Sequence, residues 1–204
     1  MIIQALNEYY LRLKDMPSED IPLSGFSREK VQFEFVLNVN GALLQVNDLR
    51  NDKKAAKSLI VPWDEKRSNN VHAYFLSDNT GYVLGRDNSD NPKRMQEKFE
   101  DFKRIHHLLG DSLEDQGIKA ILRFLDAWMP KNLEQSICWK KWEDLSGIRV
   151  VFRIDGERQY IHDRPAVRNA WLTYLSGQSS DYLATCLATG QRTNIARTHK
   201  SIQG

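Results

Sequence analysis

The feature that most constrains the fold is a run of alternating residues that begins at Val31. Apolar side chains occupy every second position through Leu37, and the pair Asn40-Gly41 then precedes a second apolar run over residues 42–46. A period of two is typical of a β-strand, and Asn-Gly between two such runs favours a tight turn. The sequence therefore predicts a β-hairpin between Val31 and Val46.

Two further stretches favour strands. Residues 58–63 form a third apolar run, closed by Pro62. Residues 148–154 are rich in β-branched side chains, and Asp155-Gly156 then favours a turn. Because the chain returns through residues 159–161, this region predicts a second β-hairpin.

Four segments have apolar residues at helical spacing, which indicates amphipathic helices. They cover residues 2–13, 93–109, 118–128 and 165–175. We expect the apolar face of the first helix to dock on another surface. Together the elements predict an α+β fold, with antiparallel β-hairpins or small sheets towards each end and amphipathic helices between them.

The composition bounds the class of protein. With 204 residues, 41% of them apolar, the chain fits one ordinary globular domain or at most two small ones. Gln4, Asn7 and Glu8 interrupt the apolar residues at the start, which argues against a signal peptide, and no later stretch has membrane-spanning length. We therefore expect a cytoplasmic protein without a membrane partner.

The two cysteines, Cys138 and Cys186, lie far apart in the sequence, and neither has a partner at a metal-binding or redox spacing. We expect both to be reduced, structural thiols. No cofactor is expected.

The net charge of +2 permits nucleic-acid binding without pointing to it. Between Arg50 and Arg67, six basic residues stand against three acidic ones, and the last fourteen residues carry Arg192, Arg197 and Lys200 with no acid. For any single one of these charges, a solvated surface position is the simplest interpretation.

One set of residues has the order of a metal site. His162-Asp163, with His106-His107 upstream and Asp181 downstream, is arranged along the chain as in HD-type metal-dependent phosphohydrolases. However, Pro165 disfavours helical geometry just before it, so His162 falls at a strand-to-helix joint instead of inside a helix. His106 lies on an apolar helix face, where a core histidine is the commoner outcome. The phosphohydrolase stays an alternative, and we expect no metal.

Other catalytic motifs do not stand out in the sequence. We find no phosphate-binding glycine loop, no serine or cysteine nucleophile motif and no close pair of carboxylates. The chain is therefore expected not to be an enzyme.

A polar segment over residues 66–70 combines two kinds of side chain that nucleic-acid recognition requires. Cations neutralise phosphates, whereas amides and hydroxyls read base edges. Asn79-Thr80 adds another amide and hydroxyl beside the apolar run at residues 74–76. The alternative is a pair of plain surface turns, because Asn, Ser, Asp and Gly form turns for backbone reasons.

Several blocks spread over the whole chain carry a family resemblance. They are Ile3-Gln4-Ala5-Leu6-Asn7, Asp48-Leu49-Arg50, residues 75–85, residues 151–156, residues 160–168 with Trp171, and residues 186–190 continuing to Ile195-Ala196-Arg197. In this order they resemble the large-subunit family of type I-C CRISPR complexes. Members of that family are considerably longer, so we expect residues 1–204 to be the N-terminal domain of a truncated large subunit that lacks the C-terminal body.

The resemblance implies a role in an RNA-guided antiviral surveillance complex (Cascade). In such complexes the guide RNA reads the target by base pairing, while the large subunit recognises the protospacer-adjacent motif (PAM) on duplex DNA and helps to open it. A separate helicase-nuclease is then recruited, so the subunit needs no catalytic residues. The implied partners are target double-stranded DNA, the subunits that carry the CRISPR RNA, and the helicase-nuclease.

On this interpretation, the loop at residues 66–70 and the turn at Asn79 form the motif-reading edge, so DNA contacts are expected from Lys66, Arg67, Ser68, Asn69, Asn70, Asn79 and Thr80. Lys66 and Arg67 are expected to hold phosphates, and the asparagines to contact base edges. Lys53, Lys54 and Lys57 are secondary candidates for the duplex backbone. A pure assembly module without DNA contacts is a further alternative.

The loop also departs from the family pattern. After Arg67-Ser68 the family tends to continue with Gly-Ile and then a proline, whereas this chain has Asn69-Asn70-Val71. The geometry of the family's loop therefore does not carry over directly to residues 66–70.

Overall fold

The computed structural model of the protein describes residues 2–16, 21–63, 67, 70–88, 91–178 and 183–194. The strands are β1 (Phe26–Val31), β2 (Phe33–Leu37), β3 (Leu43–Asp48), β4 (Lys57–Pro62), β5 (Asp78–Asn79), β6 (Arg149–Ile154), β7 (Leu183–Thr185) and β8 (Arg192–Asn194). The helices are α1 (Ile2–Lys14), α2 (Thr80–Val83), α3 (Pro92–Gly110), α4 (Gln116–Ala127), α5 (Trp142–Leu145) and α6 (Pro165–Gly177). This content of helices and small sheets confirms the α+β class.

Four strands form the central sheet in the order β3-β2-β6-β5. β2 and β3 are antiparallel and are joined by the turn around Gly41, so the first predicted hairpin is confirmed. β6 runs parallel to β2 and antiparallel to β5. All five residues of β2 are buried, including Glu34 and Val36, because this strand lies inside the sheet and is covered on both faces.

The hairpin turn packs directly on a helix. Gly41 has a φ of 84°, a backbone conformation that glycine adopts without steric cost. A Cβ atom at this position would lie only 2.6 Å from the backbone nitrogen of Phe124 in α4. Glycine is therefore required here both for the turn and for the contact between the hairpin and α4.

Burial of Glu34 is balanced by polar partners from two neighbouring strands. Its carboxylate accepts hydrogen bonds from Arg153 Nε at 2.8 Å, Arg153 Nη2 at 2.9 Å and Asn47 Nδ2 at 2.8 Å. Burial alone raises the pKa of Glu34, but these hydrogen bonds outweigh burial and lower it. The sheet therefore holds a charged pair across β2 and β6.

β1 and β4 form a separate antiparallel ribbon, in which Phe26 lies opposite Pro62 and Val31 opposite Lys57. The predicted strand at residues 58–63 is therefore confirmed, although its partner precedes the first hairpin. Val31 and Val61 are fully buried against Val151 of β6. This apolar contact joins the ribbon to the central sheet.

The second predicted hairpin is wrong. Residues 161–163 form a 3₁₀ turn, and within the described residues the only pairing between the return segment and β6 is an isolated bridge between Arg153 and Tyr160. β6 is instead hydrogen-bonded to β2 along one edge and to β5 along the other. β5 pairs only with Arg149 and Val150, and beyond them the return segment forms a single bridge at Arg153. β2 and β6, which are far apart in the sequence, share the central sheet, whereas β1 with β4 and β7 with β8 form separate antiparallel pairs.

The long helices occur where the sequence predicts them. α3, α4 and α6 bury their apolar faces in one core with the central sheet, and this core includes residues from Phe26 to Trp171. Pro165 occupies the first turn of α6, a position where its missing N–H costs nothing. Among the described helices, none is both long and apolar enough to cross a membrane.

α1 differs from the other long helices because it buries none of its residues. The exposed fractions of Ile2, Leu6 and Tyr9 are 80%, 62% and 55%. A hydrogen bond from the Tyr10 hydroxyl to the Pro22 carbonyl, at 3.2 Å, ties the helix to the chain that follows. The expected helix is present, but the described residues do not cover its apolar face.

Both cysteines are free, as the sequence predicts. Burial raises the pKa of the Cys138 thiol to about 12, which keeps it protonated near neutral pH. Cys138 belongs to the main core, and Cys186 lies partly exposed between β7 and β8.

Candidate nucleic-acid interface

The turn that leads into β5 is built on a buried, apolar base. Five apolar side chains of this segment are buried: Phe75, Leu76, Tyr82, Val83 and Leu84. Leu76 has a φ of 61°, which is rare for a residue with a branched side chain. The surrounding contacts must therefore hold this backbone in place.

His106 of α3 supplies one of those contacts. Its Nε2 atom accepts a hydrogen bond from the Leu76 N–H at 3.1 Å, and its Nδ1–H donates to the Phe102 carbonyl at 2.7 Å. The ring also packs against Phe75 and Phe102. Burial lowers the pKa of His106 to about 3, so the ring is neutral near pH 7. The prediction of a core histidine is confirmed.

Asp78, at the start of β5, is almost completely buried and collects donors from both sides of the turn. Its Oδ2 atom accepts from the Tyr74 N–H at 2.7 Å, and its Oδ1 atom accepts from the Asn79 N–H at 2.7 Å. Oδ2 also forms an ion pair with Arg67. Burial raises the pKa of Asp78, and the charge of Arg67 opposes this shift.

Arg67 is the member of the predicted loop whose contacts the structure describes. Its guanidinium lies 3.8 Å from the ring centroids of both Tyr74 and Tyr82, and its Nε–H donates to the His72 carbonyl. Its backbone N–H donates to the Tyr74 hydroxyl at 3.2 Å. Together with the Asp78 ion pair, these contacts hold Arg67 against the turn before Asn79. One residue of the predicted loop is thus adjacent to the turn that the sequence analysis assigned to the same edge.

The remaining residues of this edge have different environments. Asn79 caps α2, because its Oδ1 atom accepts from the Gly81 N–H at 3.1 Å. Thr80 is fully buried; its hydroxyl donates to the Leu145 carbonyl at 2.8 Å and accepts from the Gly147 N–H at 2.9 Å. Asn70 is exposed. Lys66, Ser68 and Asn69 lie outside the described residues.

Arg149 is a cation of this region that the sequence analysis missed. It lies directly opposite Asn79 in the pairing of β5 with β6, and its guanidinium carbon is 5.4 Å from the Tyr74 ring centroid. No local pattern could have indicated it, because the two strands are about 70 residues apart in the sequence. Asp78, Tyr74 and Tyr82, the partners of Arg67, were not assigned to the site from the sequence either.

Three lysines were secondary candidates for contacts to the duplex backbone, and they lie where β4 begins. Lys53 and Lys54 are exposed on the turn before β4, where Asn51 Oδ1 accepts from two backbone N–H groups. Lys57 is exposed, and its ammonium donates to the Tyr160 hydroxyl at 3.2 Å. The six residues of β4 span roughly 17 Å, so Lys57 and Pro62 lie at opposite ends of the ribbon.

The histidines of the phosphohydrolase alternative lie in separate environments. Both ring nitrogens of His106 are bonded to the backbone, whereas His107 bonds Asp111 at 2.8 Å and Asp126 at 3.1 Å on the surface. His162 is buried with its ring stacked on Tyr160. Asp181 lies outside the described residues, and within them no group of three or more His, Cys, Asp or Glu side chains is arranged to hold a metal ion.

Comparison with known protein families identifies the family of the chain. A family described as "CRISPR-associated protein (Cas_Csd1)" matches residues 6–204, which is nearly the whole chain. No curated protein matches the sequence.

Proposed function

The chain belongs to the Cas_Csd1 family of CRISPR-associated proteins, and from this premise we propose that it is a non-catalytic subunit of a type I-C surveillance complex in the cytoplasm. Its role is to recognise the PAM on double-stranded DNA and to help open the duplex. The guide RNA then reads the target by base pairing, and a separate helicase-nuclease is recruited to the bound complex.

The observation that carries this proposal is the contact between Arg67 and Asp78. It links Arg67 of the predicted loop to the turn that ends in Asn79, which supports the assignment of both to one edge. Asn70 is exposed, and Asn79 is half-buried. Amide side chains are suited to reading base edges in a groove.

Within the proposed edge, the roles divide between reading and holding. Asn69, Asn70 and Asn79 contact base edges, while Lys66 and Ser68 contact the adjacent backbone. Arg67 organises the loop, since its guanidinium is already held by Asp78 and two tyrosines. Thr80 shapes the turn through its hydrogen bonds to the segment before β6 and does not reach the DNA itself.

Lys53, Lys54 and Lys57 extend the proposed interface along the duplex. They are exposed, on the turn before β4 and at its first residue. Exposed lysines neutralise phosphates without contributing to sequence choice. The surface thus combines a sequence-reading end with a phosphate-binding end.

The proposal is tested with Asn79→Ser in the complex assembled with its guide RNA. Serine keeps a side-chain oxygen that caps a helix as well as asparagine does, but it lacks the amide group. We expect the preference for the correct motif over a mutated one to fall by about 1–3 kcal/mol. Asn70→Ala is expected to act in the same direction. Duplex affinities measured with and without the motif supply the readout.

Asn91→Ser is the matched control, because Asn91 caps α3 in the same way by accepting from the Arg94 N–H at 3.0 Å. This variant should leave motif preference unchanged. If Asn79→Ser and Asn70→Ala also leave it unchanged, these asparagines are turn formers. If replacement of Lys53, Lys54 and Lys57 also leaves duplex binding unchanged, the result favours an assembly module without DNA contacts.

A further inference from the structure

We infer that Asp78 is a positioning residue, which sets the geometry of the motif-reading edge by holding Arg67 while making no contact with DNA. This inference rests on the proposed function and extends it to a residue that the sequence does not mark. It assigns motif specificity partly to a buried carboxylate that lies beneath the reading side chains.

The first step in the argument is the connectivity of the carboxylate. One oxygen of Asp78 binds the backbone N–H of Asn79, and the other binds both Arg67 and the backbone N–H of Tyr74. A single planar group thus links Tyr74, Asn79 and Arg67. A shift of the carboxylate would therefore change the position of Arg67 relative to Asn79.

The second step is the immobilisation of Arg67. Its guanidinium lies between two tyrosine rings, and its backbone N–H binds the Tyr74 hydroxyl. The Tyr82 hydroxyl in turn accepts from the His72 N–H at 3.3 Å. Because Asn70 is only three residues beyond Arg67, its Cα atom must lie within roughly 11 Å of this fixed point. The anchor therefore limits where the exposed amide can reach.

The third step is the chemistry of the acceptor. Three donors converge on Asp78, and a carboxylate offers acceptor sites on both oxygens. An asparagine side chain offers one oxygen, so its amide N–H₂ must face either the Asn79 N–H or the Arg67 guanidinium. Asp78→Asn removes one set of contacts while it preserves the shape of the side chain.

The experiment compares Asp78→Asn with Asp115→Asn in the assembled complex. Asp115 is a close match, since it accepts from two backbone N–H groups and from Arg164 Nε, but it caps α4 and is not joined to the loop. We expect Asp78→Asn to reduce the preference for the correct motif by roughly tenfold. Affinity for guide-complementary single-stranded target and the salt dependence of duplex binding should stay unchanged. Asp115→Asn should not alter motif preference.

A double variant tests whether the two residues act as a unit. If Asp78 works only through Arg67, the combination Asp78→Asn with Arg67→Ala should lose no more motif preference than Arg67→Ala alone. Additive losses would overturn the inference. Should Asp78→Asn fail to fold, Arg67→Lys supplies the test instead, because lysine keeps the charge but lacks the planar fork. A normal motif preference in that variant would equally overturn it.

The outcomes also separate this inference from the proposed function. If Asn79→Ser loses motif preference while Asp78→Asn keeps it, motif reading stands and Asp78 is not a positioning residue. If Asn79→Ser, Asn70→Ala and Asp78→Asn all keep the motif preference, the proposed function and the role of Asp78 are both overturned. Parallel losses of folding stability and of every affinity in Asp78→Asn and Asp115→Asn would reduce Asp78 to a purely structural role.

Discussion

The turn from Ser77 to Gly81 and the lysines around β4 are both polar segments, yet they use their polar atoms differently. In the turn, Asp78 and Thr80 are buried, and their side chains bond to backbone groups of the protein. At Lys53 and Lys54 the side chains extend into solvent. Polar composition alone therefore does not separate a scaffold from a contact surface; the partners of each polar group do.

If this comparison is correct, the largest effect on stability should come from acid, which protonates buried histidines when the protein unfolds. In the unfolded chain a histidine takes up a proton below its ordinary pKa of 6.5, whereas burial lowers the pKa of both His106 and His162 to about 3 in the folded protein. The contribution of these two histidines to the free energy of unfolding is therefore complete above pH 6.5 and decreases as the pH falls. Between pH 7 and pH 5 we expect the free energy of unfolding to decrease by about 4 kcal/mol, half from each histidine. Denaturant titrations at the two pH values measure this change.

Asp78 acts in the opposite direction, because its raised pKa means that the folded state binds a proton more readily than the unfolded chain. The histidine contribution is therefore isolated with His106→Gln and His162→Gln. Each variant should lose about half of the pH dependence. An unchanged pH profile in both would show that these rings do not control acid stability.

Thr80→Val gives the next largest effect. Valine has nearly the shape of threonine but leaves the Leu145 carbonyl and the Gly147 N–H without their shared partner. We expect the free energy of unfolding to fall by about 2–3 kcal/mol. Thr80→Ser keeps the hydroxyl and should cost distinctly less. Equal losses in the two variants would mean that the methyl group, and not the hydrogen bonds, stabilises this turn.

The smallest effect on stability is expected at the lysines. Lys53→Gln combined with Lys54→Gln should change the free energy of unfolding by less than about 0.5 kcal/mol, because both side chains are exposed. Duplex binding by the assembled complex should weaken for all sequences alike, with the salt slope reduced by about 1 for each phosphate that a lysine no longer neutralises. The control is Lys131→Gln with Lys140→Gln, two exposed lysines elsewhere. Equal weakening in both pairs would indicate a general charge effect.

Most secondary structure could be predicted from the sequence because its signals are local. The alternation before Gly41 and the apolar stripe of α3 each depend on residues a few positions apart. The second hairpin was predicted wrongly because the return segment makes one bridge to β6 and then turns into a 3₁₀ helix at Ile161–Asp163. The strands that pair with β6 are β2 along its length and β5 at its first two residues, and both lie far away in the sequence.

The candidate site could be predicted only in outline for the same reason. The types of residue at 66–70 and 79–80 indicate a polar edge, but nothing local shows that Arg67 is bonded to Asp78 or enclosed by two tyrosines. A guanidinium in a loop has the same sequence signature whether it holds a phosphate or a carboxylate. Only the folded arrangement distinguishes the two.

The parallel pairing of β2 with β6 has a consequence for synthesis on the ribosome. β2 ends at Leu37 and its partner ends at Ile154, so 117 residues must be added before the sheet can close. At typical elongation rates of 5–20 residues per second this interval lasts roughly 6–23 s. Throughout it, the N-terminal hairpin exposes one unpaired, apolar edge, and a nascent chain in this state is a natural client for chaperones.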